Sequence, residues 1–189
     1  RKMNKSALVT GGTKGIGKAV SSRLLKEGWD VIVNYSHDDA AAEKTLGEFN
    51  TLYPGRVSLL KADISDLNSI QVIYDFIQER EIYLDAVVLN AGLTDRSDFT
   101  NINIEDWNKV FNANVHFPVF LLQKLYSRIN PGSSITFTGS LMAIQPHSVS
   151  LSYGVTKASV HALVKNLVKF FAEKDIRVNG VAPGFVESE

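Results

Sequence analysis

The stretch SALVTGGTKGIGKAV, residues 6–20, decides the fold. Its first five residues read as a short strand and the apolar period from Ile16 reads as a helix, with Gly11, Gly15 and Gly17 at the junction. Glycine there lets the backbone approach a ligand closely. The N–H groups that open the helix, at the positive end of its dipole, then suit a diphosphate. A dinucleotide is the natural guest of such a turn; a tight strand-to-helix connection that holds nothing is the competing explanation.

Outward from this unit the alternation repeats. Further strand candidates are DVIVNY (30–35), VSLLKA (57–62), DAVVLN (85–90), SSITFTG (133–139) and IRVNGVA (176–182). Helical periods run over 16–27, 39–52, 67–79, 104–129 and 152–174. The alternation predicts one α/β domain: a doubly wound, Rossmann-type parallel sheet with helices on both faces and its ligand crevice at the carboxyl ends of the strands. At 189 residues a single core is sufficient.

Composition narrows the function. Twenty Lys and Arg offset twenty Asp and Glu without a dense basic run, so neither nucleic acid nor an anionic membrane is an expected partner. There is no Cys, and His37, His116, His147 and His161 lack a zinc-ligand spacing, so thiolate chemistry, disulfides and metal binding are not expected. No apolar run approaches the roughly 20 residues of a membrane helix. The apolar segment before the first glycine is too short for a signal peptide, so a soluble, cytoplasmic protein is expected.

An acidic residue at the tip of the second strand would accept hydrogen bonds from an adenosine ribose and repel a 2′-phosphate. The tip reads Asn34-Tyr35-Ser36, while Asp38 and Asp39 look like the start of the next helix. With Lys14 offering a cation in the glycine turn, NADP(H) is expected in preference to NAD(H). The alternative is that Lys14 is simply solvated.

In SYGVTKASV, residues 152–160, Tyr153 and Lys157 stand four apart on a helical pattern, which puts them on one face about 6 Å apart. A free phenol exchanges protons poorly at neutral pH, and a neighbouring ammonium favours the phenolate. The pair is common on ordinary helices. Its context is Ser140, ending the fifth strand thirteen residues earlier, and Asn90-Ala91-Gly92, ending the fourth.

Together with the glycine turn TGGTKGIG (10–17), Ala62-Asp63, Asn114 and Pro183-Gly184, these pieces fall in one order along the whole chain. In that order they resemble the classical short-chain dehydrogenase/reductase family. The resemblance implies that Tyr153 exchanges the proton with a carbonyl or alcohol oxygen, that Ser140 hydrogen-bonds that oxygen, and that Lys157 binds the nicotinamide ribose and supports Tyr153. Asn114 would hold a water linking Lys157 to solvent. The cofactor would be lined by Gly11, Thr13, Lys14, Gly15, Ile16 and Gly17, by Asn34 and Tyr35, by Asp63 and Ile64, and by Asn90, Ala91 and Gly92. Pro183, Gly184, Val186 and Ser188 would lie at its carboxamide end, with Ser188 an ordinary loop residue in the alternative.

Within the family the chain is most similar to the 3-oxoacyl-[acyl-carrier-protein] reductases, through VIVNYS, LNAG, Asp106-Trp107, FTGS and VNGVAPGFVES. This implies NADPH-dependent reduction of a ketone to a secondary alcohol. Acetoacetyl-CoA, a sugar or another short carbonyl compound is the alternative substrate, and an NADP(H)-binding regulator or scaffold is the non-enzymatic alternative. An acyl carrier protein, being acidic, would need a basic spot such as Lys124, Arg128, Lys169 and Lys174, which solvated helix faces also explain. The resemblance also implies association through the two long helices, 104–129 and 152–174, as a homo-tetramer or homo-dimer; their apolar residues include Phe117, Phe120, Leu121, Leu163, Leu167 and Phe170, which the sheet-facing core could claim instead. The family continues past the Pro-Gly turn with a lid and a last strand, so a truncated or incompletely observed carboxyl end is expected.

Pro118 stands inside the predicted helix 104–129. A helix would bond the N–H of residue 118 to the carbonyl of Asn114; proline has no such hydrogen and frees that carbonyl. Pro118 is therefore expected either to keep the Asn114 oxygen available to the family's water or to be a packing kink alone.

Overall fold

A computed structural model describes residues 4–146 and 150–187. Six strands form one parallel sheet: β1 (Ser6–Val9), β2 (Asp30–Tyr35), β3 (Val57–Lys61), β4 (Leu84–Leu89), β5 (Ile129–Thr138) and β6 (Arg177–Val181), in the order β3-β2-β1-β4-β5-β6. The sheet is therefore the doubly wound one expected, and its strand order reverses between β1 and β4. Helices α1 (Gly15–Lys26), α2 (Asp39–Leu52), α3 (Ser69–Glu79), α4 (Ile104–Phe111), α5 (Phe117–Leu125) and α6 (Leu151–Phe171) make the crossovers.

Because successive strand residues point to opposite faces, β1 and β2 feed two cores. Leu8 and Ile32 pack with Ile73 and Ile77 of α3, Phe117, Leu121 and Leu125 of α5 and Val160 of α6. Val9, Val31 and Val33 pack on the other face against Leu25 of α1 and Phe49 of α2. Each fully buried side chain of this size contributes roughly 1.5–3 kcal/mol. α2 starts where expected, with Asp38 as its cap accepting from the Ala41 N–H. No helix among the described residues is long and apolar enough to cross a membrane.

Two boundaries differ from the sequence reading by more than three residues. β5 begins at Ile129 rather than Ser133, because Ile129 pairs with Leu84 before an irregularity in the ladder accommodates the turn at Gly132, whose φ is +80°. The single helix expected over 104–129 is broken: α4 ends at Phe111, one π-helical turn covers Asn112–His116, and α5 resumes at Phe117. In that wide turn the Phe117 N–H donates to the Asn112 carbonyl, five residues back. Pro118 lies in the first turn of α5, where a missing N–H is tolerated.

Candidate active site

The site lies along the carboxyl edge of the sheet, and the reversal point between β1 and β4 anchors it. Thr10, just past β1, accepts at Oγ1 from the N–H groups of Asn90 and Ala91, both at 3.0 Å. Gly11 then adopts φ +59°, with the place of its missing Cβ 3.1 Å from Ala91. A Cβ on Gly17 would lie 2.0 Å from the Gly11 carbonyl oxygen and 2.7 Å from Asn90 Nδ2. The Asn90 amide itself bonds to the carbonyls of Thr10 and Gly11 and accepts from Thr138 Oγ1.

Lys14 precedes α1 at the capping position but makes no side-chain capping bond, and the first turn of α1 holds no acidic residue. Its opening N–H groups are thus left to an outside anion, and the packed glycine turn admits a backbone-hugging ligand. These residues fit a dinucleotide diphosphate. We expect Gly17→Ala to weaken cofactor binding at least tenfold and to destabilise the fold by about 1–3 kcal/mol through overpacking; cofactor titration and thermal unfolding measure both.

At the tip of β2 the side chains divide. Asn34 is 1 % exposed; its amide donates to the carbonyls of Leu60 and Ala62, and its carbonyls hold the N–H groups of Gly11 and Gly12. Its side chain therefore braces the glycine turn from inside the sheet. Ile64 is likewise in the core. Thr13 is buried, its carbonyl accepting from Thr45 Oγ1. Tyr35 donates to Asp39, which also pairs with Lys61. Lys14 is not free: its ammonium is ion-paired with Asp38, both side chains being about half exposed. Asp63 stands at the mouth, bonded to Ser65 N and Oγ and to His37 Nε2. Burial pushes its carboxyl upward, but these bonds outweigh burial and leave it below its ordinary value.

Across the reversal point, β5 meets α6. Ser140 follows β5 and is 7 % exposed; its Oγ accepts from the Met142 N–H, which leaves its own hydroxyl hydrogen without an acceptor among the described residues. Tyr153 and Lys157 share one face of α6, with Lys157 Nζ 5.5 Å from the centre of the Tyr153 ring. Lys157 is only 4 % exposed, and its ammonium donates to the Thr138 carbonyl at 2.8 Å. Burial pulls its pKa down to about 8.

Asn114, in the π-turn, is buried; it bonds both the N–H and the carbonyl of Leu93 and donates to Thr156 Oγ1 of α6. Gly92 lies between them, the place of its missing Cβ 3.2 Å from Asn114 Oδ1 and 3.4 Å from Lys157 Nζ. Thr10, Thr138, Asn114, Pro118 and Lys157 enclose a cavity of about 10 Å³ for a water centre, which is the size of one water molecule.

The chain after β6 crosses the same edge. Pro183 accepts from the Leu141 N–H, and Gly184 packs on the Leu141 side chain beside Ser140. Val186 reaches the groove lined by Thr13, Lys14, Gly15 and Ile16. Ser188 and His147 lie outside the described residues.

The family model for short chain dehydrogenases matches residues 5–189. The chain belongs to the short-chain dehydrogenase family. It is 33 % identical to glucose 1-dehydrogenase 2 of Bacillus subtilis, over 98 % of this chain and 73 % of that one. It is 29 % identical to the 3-oxoacyl-[acyl-carrier-protein] reductase of Staphylococcus aureus, over 100 % of this chain and 77 % of the relative. The crystal structure of a Burkholderia cenocepacia short chain dehydrogenase in complex with NADP superposes with a TM-score of 0.91 at 27 % identity, covering 100 % of this chain and 78 % of that one.

Several residues that serve the site of this short-chain dehydrogenase escaped the sequence reading. Thr10 and Thr138 tie β1, β4 and β5 together above the sheet, and Thr156 anchors Asn114 to α6. Thr138 and Thr156 are each within two residues of an expected site residue, which is the one signal that pointed to them. Lys174, expected in a basic spot, instead caps the carbonyls of Tyr126 and Ile129. Of the expected interface residues, Phe117 and Leu121 belong to the core, whereas Phe120 and Phe170 are 48 % and 57 % exposed.

Proposed function

We propose that this short-chain dehydrogenase is an NADP(H)-dependent reductase that converts a ketone to a secondary alcohol. The observation that carries the reading is the meeting of α6 with the end of β5: the Tyr153 ring, the Lys157 ammonium and Ser140 gather at the edge where the glycine turn opens. The NADP-bound relative supports the cofactor assignment. The Lys14–Asp38 pair supports it too, because an exposed ion pair is weakly held and Lys14 can exchange Asp38 for a 2′-phosphate.

In this reading the uncapped start of α1 and the Gly11–Gly17 turn hold the diphosphate, Asp63 faces the adenine, and Asn90, Ala91 and Gly92 line the path to the nicotinamide end near Pro183 and Gly184. The cofactor, when bound, supplies the hydride. Ser140 donates its unassigned hydroxyl hydrogen to the substrate oxygen, and Tyr153 delivers the proton to it. The Lys157 ammonium favours the negative charge that the phenol oxygen develops.

The π-turn gives Pro118 a role in this chemistry. Residue 118 has no N–H to claim the Asn114 carbonyl, and the water-sized cavity beside Lys157 adjoins both residues. A water there would pass protons between Lys157 and solvent. Pro118→Ala restores an N–H that can close a normal α-turn; we expect turnover to fall severalfold with NADPH affinity unchanged, and unaltered steady-state turnover rejects the role.

The test of the reading is direct: NADPH with a short β-ketoester such as ethyl acetoacetate should lose absorbance in the presence of the protein. Binding of NADPH without oxidation over a set of carbonyl compounds would favour a regulator or scaffold. Similarity to a 3-oxoacyl-[acyl-carrier-protein] reductase supports a carrier-linked substrate of fatty-acid synthesis, and similarity to a glucose dehydrogenase supports a sugar as the second reading; glucose with NADP distinguishes them. Exposed Phe120 and Phe170 on the long helices support self-association as a tetramer or dimer.

A further inference from the structure

The described hydrogen bonds around Ser140 contain one that the proposed reaction does not use. Gly139 and Leu141 donate their N–H groups to the carbonyls of Val181 and Pro183, so the chain on either side of Ser140 is held by the β6 strand and its continuation. The Ser140 N–H has no such carbonyl. It donates to His161 Nε2 of α6 at 3.3 Å.

His161 lies one turn beyond Lys157 and two beyond Tyr153, on the same face of the helix. Its ring is pressed against the backbone before Ser140: a Cβ on Gly139 would lie 2.3 Å from Nε2 and 2.7 Å from Cδ2. A backbone N–H can only donate, so Nε2 must accept, which requires the neutral ring with its proton on Nδ1.

We propose that His161 is a positioning residue that sets Ser140 for the reaction by accepting its main-chain N–H, and that protonation of the imidazole releases it. The inference rests on the catalytic reading of Ser140. Three contacts then hold the serine: His161 on its main-chain N–H, the Ala143 N–H on its carbonyl and the Met142 N–H on its hydroxyl oxygen. Losing the first orphans a buried N–H and lets the hydroxyl drift from the substrate oxygen.

No titratable side chain comes from β5 or from the 141–143 turn, and the one on β6, Arg177, is at the far end of the strand, paired with Ser134. On α6 itself Lys157 and Lys165 stand one turn to either side.

The test compares wild type, His161→Leu and His161→Gln in the full chain with NADPH and ethyl acetoacetate. Glutamine offers a carbonyl oxygen near the place of Nε2; leucine fills the space without an acceptor. The expected result is a kcat about tenfold or more lower in His161→Leu with KM for NADPH nearly unchanged, largely restored in His161→Gln. The wild-type fall in kcat at acidic pH should be missing from His161→Gln.

The amide resonance of Ser140 in 15N-labelled wild type should move as the imidazole takes its proton. Full kcat in His161→Leu, equal losses in both variants, or a Ser140 amide indifferent to the imidazole would overturn the inference. An inactive wild type would instead overturn the reductase reading, and the amide resonance would still decide whether His161 holds Ser140.

Discussion

Tyr153→Phe should reduce turnover by about 10²–10⁴-fold, the range for loss of a positioned proton donor, while NADPH affinity and thermal stability stay at wild-type values. The ring is half-buried and its contact with the Lys157 ammonium is a contact of its face, which phenylalanine keeps. The Tyr153 hydroxyl has no hydrogen-bond partner among the described residues, so its removal orphans nothing. A structural role would appear in the melting curve, and a chemical one in kcat alone. Turnover within a factor of about three of wild type would remove Tyr153 from the reaction.

Lys157→Met should separate stability from activity in opposite directions. The drop in the Lys157 pKa from 10.5 to about 8 is caused by burial, since the ammonium is almost out of water with the Thr138 carbonyl as its partner. The unfolded chain therefore binds more protons than the folded one between about pH 8 and 10.5, and the ligand-free protein should grow more stable as pH rises through that window. Below about pH 8 the full penalty of about 3 kcal/mol applies. Methionine removes the penalty and loses the bond to Thr138, for a net gain of about 1–2 kcal/mol at pH 7. This is a rise of about 2–8 °C in melting temperature, with the pH dependence in that window flattened. Turnover should fall by about 10²-fold or more, because the charge that favours the phenolate is gone. A less stable variant at pH 7, or one that keeps the wild-type rise in stability across the window, would contradict the burial account.

This buried cation is destabilising in the free protein and would be useful in the proposed reaction. Ribose hydroxyls and a water near Asn114 would restore the hydration that folding removed, so cofactor binding and the retention of this proton are expected to support each other.

The sequence alone determined the six strands, the alternating helices and the doubly wound sheet, because each follows from local periodicity and turn chemistry: short β-branched runs in the strands, glycine at the β1–α1 junction, an Asp38 cap on α2; the family came from the resemblance of its motifs in their order along the chain. The sequence also placed Tyr153 and Lys157 on one face of a helix, since a spacing of four defines a shared face whatever the tertiary context. What it did not determine was every feature that depends on which group comes to meet a residue from afar. Lys14 is a free cation in the sequence and half of an ion pair in the fold, because α2 brings Asp38 to it. Asn34 reads as a cofactor ligand and serves as a brace, because β3 offers it two carbonyls. The long helix reads as continuous, and the π-turn appears where Asn114 must reach both Leu93 and Thr156. His161 reads as one more helical residue until α6 packs on the end of β5 and sets its imidazole against a main-chain N–H. Periodicity reports the faces of an element, whereas hydrogen-bond partners and burial are properties of pairs distant in the chain, and only the tertiary structure decides them.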